Sequence, residues 1–136
     1  MKLLVIYAER FAYTTSLKAL ESIPDIEETD ALEQVIVGFI HVESHDEDRL
    51  SAVETKLIKQ LKWAARKNDA RKIVLHSFAH LSESKATPEA TRTLLANAER
   101  RLVNADYEVH QTPFGYFLNL DIQAPGTPTA RIFKEI

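Results

Sequence analysis

Hydrophobic positions follow two different periods along this chain, and the periods predict where its strands and helices lie. Short apolar or alternating runs predict strands, whereas apolar positions at helical spacing predict helices. The runs that predict strands cover residues 2–9, 10–15, 32–44, 71–78, 107–111, 115–123 and 129–135. The first two runs are adjacent, so they form either one long strand or a pair.

The strongest of these runs, residues 32–44, has apolar side chains at both alternating sets of positions. One set is Val35, Val37, Phe39 and His41, and the other is Ile36, Gly38, Ile40 and Val42. Successive side chains of a strand point to opposite faces, so this run predicts a strand that is buried on both faces.

Two segments have the spacing of an amphipathic helix. Residues 46–68 begin with acidic and end with basic residues, as the helix dipole favours. Their apolar stripe consists of Leu50, Val53, Leu57, Leu61 and Ala64. The second helix begins after Thr87, a good N-cap residue, with Pro88 at the first helical position. Its apolar positions include Leu94, Leu95, Ala98 and Leu102. Helical crossovers and a closing run of strands predict a single α/β domain with a mixed β-sheet and two main helices.

Composition narrows the class of protein. Hydrophobic residues are 45% and charged residues 27% of the 136 residues, which is typical of a globular domain. The absence of cysteine excludes disulfides, thiolate nucleophiles and Cys-based zinc sites, and we expect a cytoplasmic protein. No apolar run approaches the roughly 20 residues of a membrane span, so no membrane association is expected. The net charge of −3 argues against non-specific coating of nucleic acid but permits one local basic face.

The first helix also has a basic flank, whose residues are Lys56, Lys59, Lys62, Arg66 and Lys67. A solvated helix face is the default interpretation, and a contact with phosphates or another domain is the alternative. Trp63 lies among these residues, which suggests packing against something beyond the core, such as a partner subunit.

Histidine and carboxylate residues in "HVESHDED", residues 41–48, raise the hypothesis of a metal site. In an extended strand, His41, Glu43 and His45 would share one side, and such ligands suit divalent ions. An acidic helix cap after a strand explains the same residues without a metal. We therefore predict no metal site and no cofactor.

His80 lies in the loop after residues 71–78, where α/β proteins often place chemistry because backbone N–H groups there can bind a ligand. A serine hydrolase would pair it with Ser77, Ser82 or Ser84, but the chain lacks the Gly-x-Ser-x-Gly elbow. Only three glycines are present, and they form no phosphate-binding loop. None of these features alone identifies a function.

Two segments together resemble a known family. "FAHLS" (78–82) and "PFGYF" (113–117) resemble signature segments of the N-terminal editing domain of archaeal threonyl-tRNA synthetases. The likeness extends to "VIVGFIHVE" and "GTPTAR" and covers nearly the whole chain in order. It implies that residues 1–136 are an editing domain with a D-aminoacyl-tRNA deacylase-like fold, usually a homodimer. It also implies that they are the N-terminal part of a longer synthetase, whose catalytic and anticodon-binding domains act with it in cis or in trans.

The resemblance further implies hydrolysis of the ester in L-seryl-tRNA(Thr), so the implied partner is the 3′ end of tRNA(Thr) carrying serine. Serine lacks one methyl group of threonine, and such a difference gives only about 1–3 kcal/mol of discrimination at one site. Aminoacyl-tRNA synthetases meet this limit with a second, hydrolytic site.

Carried over position by position, the resemblance places the ester beside Ala79 and His80. The implied catalytic positions are His80 and the backbone of Tyr116 and Phe117. The implied substrate-binding residues are Val42, Ser77, Phe78, Ala79, Phe114, Gly115, Leu118 and Arg131. His80 is either a general base or a recognition group, and we favour recognition.

The chain departs from the family's pattern at four positions. Phe117 and Leu118 replace a Tyr–Lys pair, Arg131 replaces a Glu, and Ser77 replaces a Pro. Either the domain is inactive, or a held water, backbone donors and the ribose 2′-hydroxyl suffice for the reaction. We favour the active domain. The alternatives are a D-aminoacyl-tRNA deacylase and an inactive module that binds tRNA ends or dimerises.

Overall fold

One long first strand organises the sheet of this protein, whose computed structural model describes residues 1–136. The strands are β1 (Lys2–Lys18), β2 (Thr29–His41), β3 (Lys72–Ser77), β4 (Glu108–Gln111), β5 (Tyr116–Gln123) and β6 (Arg131–Glu135). The helices are α1 (Leu50–Lys67) and α2 (Pro88–Asn104), with short 3-10 turns at Ser44–Arg49 and Pro128–Ala130. The predicted class, a single α/β domain with a mixed sheet and two main helices, is confirmed.

β1 contacts three other strands. Along one edge it pairs with β2, and along the other it pairs first with β6 and then with β5, always antiparallel. The sheet continues through β3 and β4, which are parallel to β2 because α1 and α2 provide the crossovers. The two adjacent N-terminal runs therefore form one strand, not a pair.

Two apolar clusters lie on opposite faces of the sheet. The helices cover one face, where both predicted stripes are buried except for Leu50, which is half-buried. The other cluster comprises Ala8, Phe11, Tyr13, Leu32, Val35, Val37, Phe39 and Val74. β2 contributes to both clusters, so the prediction of two-sided burial is confirmed. Neither helix is both long enough and apolar enough to cross a membrane.

Candidate functional site

A cavity of about 430 Å³ lies beside the carboxyl ends of the parallel strands β2 and β3. Residues from the end of β1, the loop before α2, the start of α2 and the turn before β5 complete its walls. Its lining comprises Lys18, Ala19, Leu20, Ile40, Val42, Ser77, Ala79, His80, Lys85, Ala86, Pro88, Thr91, Phe114, Gly115, Tyr116 and Phe117. The size and position are those of a small-ligand site in an α/β protein.

Eight of the eleven predicted site residues line this one cavity. They are Val42, Ser77, Ala79, His80, Phe114, Gly115, Tyr116 and Phe117. These residues come from three separate parts of the chain, and the fold brings them together. Their individual roles stay predictions, but their convergence makes this cavity the candidate site.

Three predicted substrate-binding residues lie outside the cavity lining. The ring of Phe78 packs edge-on against Phe39, with 5.2 Å between centroids, so it belongs to the second apolar cluster. Leu118 packs against the same cluster. Arg131, at the start of β6, donates a hydrogen bond to the carbonyl of Pro125 (2.7 Å). Phe78 alternates with Ser77 and Ala79, which explains why its side chain points to the other face.

Gly115 allows two segments to meet at the cavity wall. Its φ is +81°, which favours glycine, and a Cβ there would lie 2.5 Å from Ile23 Cδ1. Its carbonyl accepts a hydrogen bond from Ala19 N–H, which connects the turn before β5 to the end of β1. A side chain at position 115 would prevent this close approach.

His41 fixes the loop that carries Ala79 and His80. Nδ1 of this fully buried imidazole accepts a hydrogen bond from Leu81 N–H (2.9 Å), and Nε2–H donates to the carbonyl of Ser84 (2.7 Å). Both bonds form together only in the neutral ring with its proton on Nε2. The residue considered as a metal ligand therefore has a positioning role.

Replacing His41 by Phe should loosen this loop without unfolding the domain. The change keeps an aromatic ring but removes two hydrogen bonds, each worth about 1 kcal/mol net. We expect the amide of Leu81 to exchange with solvent about 10-fold faster, as measured by hydrogen exchange with NMR detection. His45→Phe is the matched control, because His45 is exposed and makes no bond to the loop. Equal exchange rates in both variants would contradict this role.

A row of aromatic rings leads from the core to the cavity. His76 is buried against Phe39, and Phe78 connects both to His80, whose ring stacks on Phe117 (5.8 Å between centroids). His80 is exposed, and neither of its ring nitrogens is hydrogen-bonded within the protein. Its imidazole is therefore held by ring contacts and available to a ligand.

The stability of the fold should fall between pH 6.5 and pH 4 because of His76. Burial, with a smaller contribution from His80, lowers the pKa of His76 from 6.5 to about 4. The unfolded chain binds the proton more readily in this window, so the free energy of unfolding decreases as the pH falls, by about 3 kcal/mol in total. Urea unfolding at pH 7 and pH 4.5 measures the change. His76→Leu should show a flatter dependence, and an unchanged slope would assign the effect to other groups.

Two carboxylates of the segment weighed as a metal site contact the N-terminal ammonium. Glu43, His45 and Asp46 place ligand atoms within 4.8 Å of one another. The Met1 ammonium lies 3.1 Å from Glu43 Oε1 and 2.9 Å from Asp46 Oδ2. Burial favours the neutral carboxyls, but hydrogen bonds and the ammonium charge outweigh it and lower the pKa of both. These carboxylates therefore act as partners of the chain's own cation.

Sequence reasoning did not identify Lys18 or Lys85 as residues of the cavity. Lys18 makes an ion pair with Asp25 (2.6 Å), whereas Lys85 has no carboxylate within 4.0 Å. No Asp or Glu lines the cavity. Neither lysine belongs to a motif. Their proximity to the predicted site residues is therefore evident only in the folded structure.

Polar groups in the cavity differ in their freedom to bind a ligand. The Tyr116 hydroxyl donates to the Pro24 carbonyl and accepts from Ile26 N–H, both at 2.7 Å, so it is fully engaged. The N–H groups of Ala79 and His80 donate to no acceptor in the protein. Two free backbone donors beside an imidazole can bind a carbonyl oxygen that gains negative charge.

Comparisons with known proteins agree with these observations. A family model described as the archaea-specific editing domain of threonyl-tRNA synthetase matches residues 1–136. Threonine–tRNA ligases of Thermococcus kodakarensis and Nitrosopumilus maritimus are 33% and 31% identical to the whole of this chain. The chain spans only 22% and 21% of their respective lengths.

A solved structure shows the same fold. The c-Myc DNA unwinding element binding protein matches all of this chain and 99% of its own, with a TM-score of 0.67 and 14% identity. At this identity the likeness concerns the fold alone. The predicted architecture, a single α/β domain with a mixed sheet and two main helices, is therefore shared with a solved structure.

Proposed function

Because this chain belongs to the family of archaea-specific editing domains of threonyl-tRNA synthetase, we propose that it hydrolyses the ester of L-seryl-tRNA(Thr). The observation that supports this proposal is the convergence of eight predicted site residues on one cavity. A positioned imidazole and two free backbone donors border that cavity.

The proposed reaction needs few protein side chains. The free N–H groups of Ala79 and His80 bind the ester carbonyl oxygen and stabilise the charge that develops on it. A water attacks the carbonyl carbon, the bond to the ribose 3′-oxygen breaks, and that oxygen takes a proton from the water. The ribose 2′-hydroxyl, next to the ester, holds and activates the water. The products are serine and uncharged tRNA.

Two of the four departures from the family's pattern lie outside the cavity lining. Leu118 packs in the second apolar cluster, and Arg131 is bonded to the backbone of Pro125. Neither residue borders the place assigned to the ester, whereas Ser77 and Phe117 line the cavity. The positions of Leu118 and Arg131 favour an active domain over one that only binds tRNA ends.

The rates of deacylation of matched L-seryl- and L-threonyl-tRNA(Thr) test the proposal. We expect rapid release of serine and sparing of threonine, with no effect of EDTA because no metal or other cofactor is needed. A preference for a D-aminoacyl-tRNA would support the alternative deacylase. Binding without release of any amino acid would support the inactive module.

We also propose that the domain acts in the cytoplasm as a homodimer, together with the other domains of a synthetase. Several exposed apolar side chains lie on or near β5 and β6. They are Leu17, Phe117, Leu120 and Phe133. Such side chains are typical of protein interfaces. Sedimentation equilibrium of the isolated domain distinguishes a dimer from a monomer.

His80→Ala should lower kcat/KM for L-seryl-tRNA(Thr) by at most about 10-fold. A recognition contact accounts for a loss of this size, whereas a general base contributes about 10²–10⁴-fold. His110→Ala is the control, because His110 lies outside the cavity and pairs with Glu108. A loss of several orders of magnitude would make His80 the base.

A further inference from the structure

Unneutralised positive charge borders the cavity, although the chain carries a net charge of −3. Lys85 lines the cavity and is exposed. The guanidinium of Arg92, also exposed, lies 5.4 Å from the ring centroid of Phe114, which is part of the cavity wall. Lys85 therefore borders the cavity from the loop before α2, and Arg92 lies next to its wall from the first turns of α2.

These two cations have no carboxylate partner. The ion pairs of the protein, defined by N–O distances up to 4.0 Å, include neither Lys85 nor Arg92. Lys18, the other lysine of the cavity, is already paired with Asp25. Glu83 and Glu89 flank these cations in the sequence but form no ion pair with them. Glu47 accepts hydrogen bonds from Thr87. A cation without a partner at the mouth of a cavity is available to an anionic ligand.

We propose that Lys85 and Arg92 bind the phosphodiester that joins the terminal nucleoside of the RNA to the preceding nucleotide. This inference rests on the proposed function, because it requires an aminoacylated nucleoside in the cavity. The strand must then leave across the rim, and its first phosphate carries one negative charge. Arg92 presents a planar pair of donors to phosphate oxygens, and the Phe114 ring restrains it. Lys85 supplies a second point charge.

Two minimal substrates isolate the phosphate contact. Seryl-adenosine has no phosphate, whereas a seryl-cytidylyl-adenosine dinucleotide contains the one phosphodiester in question. We expect Lys85→Ala and Arg92→Ala each to lower kcat/KM about 10-fold for the dinucleotide and to leave the nucleoside unchanged. Lys56→Ala is the matched control, since Lys56 is exposed on α1, outside the cavity and without an ion pair. Lys85→Arg should retain most of the wild-type rate.

The salt dependence of kcat/KM gives a second readout. Since the dinucleotide carries one phosphate, complete loss of its contact should reduce the slope of log(kcat/KM) against log[salt] by about 0.7, the value per phosphate of a single strand, and each single variant should remove part of this. Equal losses on both substrates would show that the variants disturb the cavity, and unchanged rates on both would show that the phosphate is not bound here. Either result overturns the inference.

Failure of the proposed function is distinguishable from failure of this inference. A wild-type domain that hydrolyses neither substrate contradicts the hydrolytic function. Binding of the unesterified dinucleotide and of adenosine, measured by NMR titration, then tests the phosphate contact without turnover. Tighter binding of the dinucleotide that Lys85→Ala and Arg92→Ala both abolish supports the inference, and equal affinities contradict it.

Discussion

Deacylation of L-seryl-tRNA(Thr) should fall at least about 100-fold when its terminal adenosine lacks the 2′-hydroxyl, because this hydroxyl would do the work of a general base. The cavity contains no carboxylate to activate a water. Its tyrosine hydroxyl is engaged with the backbone of Pro24 and Ile26. His80 is held beside Phe117, and we assign it to recognition. The substrate itself therefore has to supply the group that orients the water.

Single-turnover rates with tRNA ending in adenosine or 2′-deoxyadenosine measure this effect. The control is tRNA with a 2′-deoxy substitution at the penultimate nucleotide, whose ribose is not adjacent to the ester. That control should react at the wild-type rate. Equal rates for the two terminal nucleosides would contradict ribose assistance. His80 would then be the group that activates the water, and His80→Ala would show the large loss of deacylation rate.

Most of the secondary structure could be predicted because the apolar positions of each segment are the positions that are buried. The two apolar faces of β2 and the apolar stripes of α1 and α2 are the surfaces that pack in the core. Periodicity could not decide whether residues 2–15 form one strand or two. That outcome depends on β2, which pairs along β1 from Lys2 to Thr14, and such pairing is a tertiary property.

The start of the first helix shows where local signals fail. The acidic residues from position 46 onward resemble a helix N-terminus, but the α-helix begins at Leu50 and residues 44–49 form a 3-10 turn. Asp46 is buried in contact with the Met1 ammonium, which is 45 residues away in the sequence. A local sequence pattern cannot predict such a long-range contact.

The candidate site was located by its resemblance to a family rather than by periodicity. The resemblance indicated the segments around His80 and Gly115, which the fold brings to one cavity. It does not indicate the direction of each side chain, so it also points to Phe78 and Leu118, which pack on the other face. It also did not indicate Lys85, because a lone exposed lysine carries no signal until its neighbours are known.

Replacing Asp46 by Ala should lower the free energy of unfolding by about 3 kcal/mol, because it removes the nearer of the two carboxylates that neutralise a buried cation. The Asp46 side chain is fully buried. It accepts hydrogen bonds from the Met1 ammonium, from Glu43 N–H (2.8 Å) and from Arg49 (3.1 Å). The substitution removes all three acceptor contacts at once. It therefore weakens the connection between the start of β1 and the segment that follows β2, leaving the Met1 ammonium with Glu43.

Urea unfolding at pH 7 measures this loss, with Asp48→Ala as the control, since Asp48 is exposed two positions away and makes no ion pair. The lowered pKa of Asp46 also determines the direction in which this stabilisation changes with pH. Its stabilisation is complete above the ordinary carboxyl pKa and disappears as the pH falls through the lower pKa of the folded state. Wild type and Asp46→Ala should therefore converge in acid, below the window of His76. A constant difference between them at all pH values would mean that the side chain matters for its packing and not for its charge.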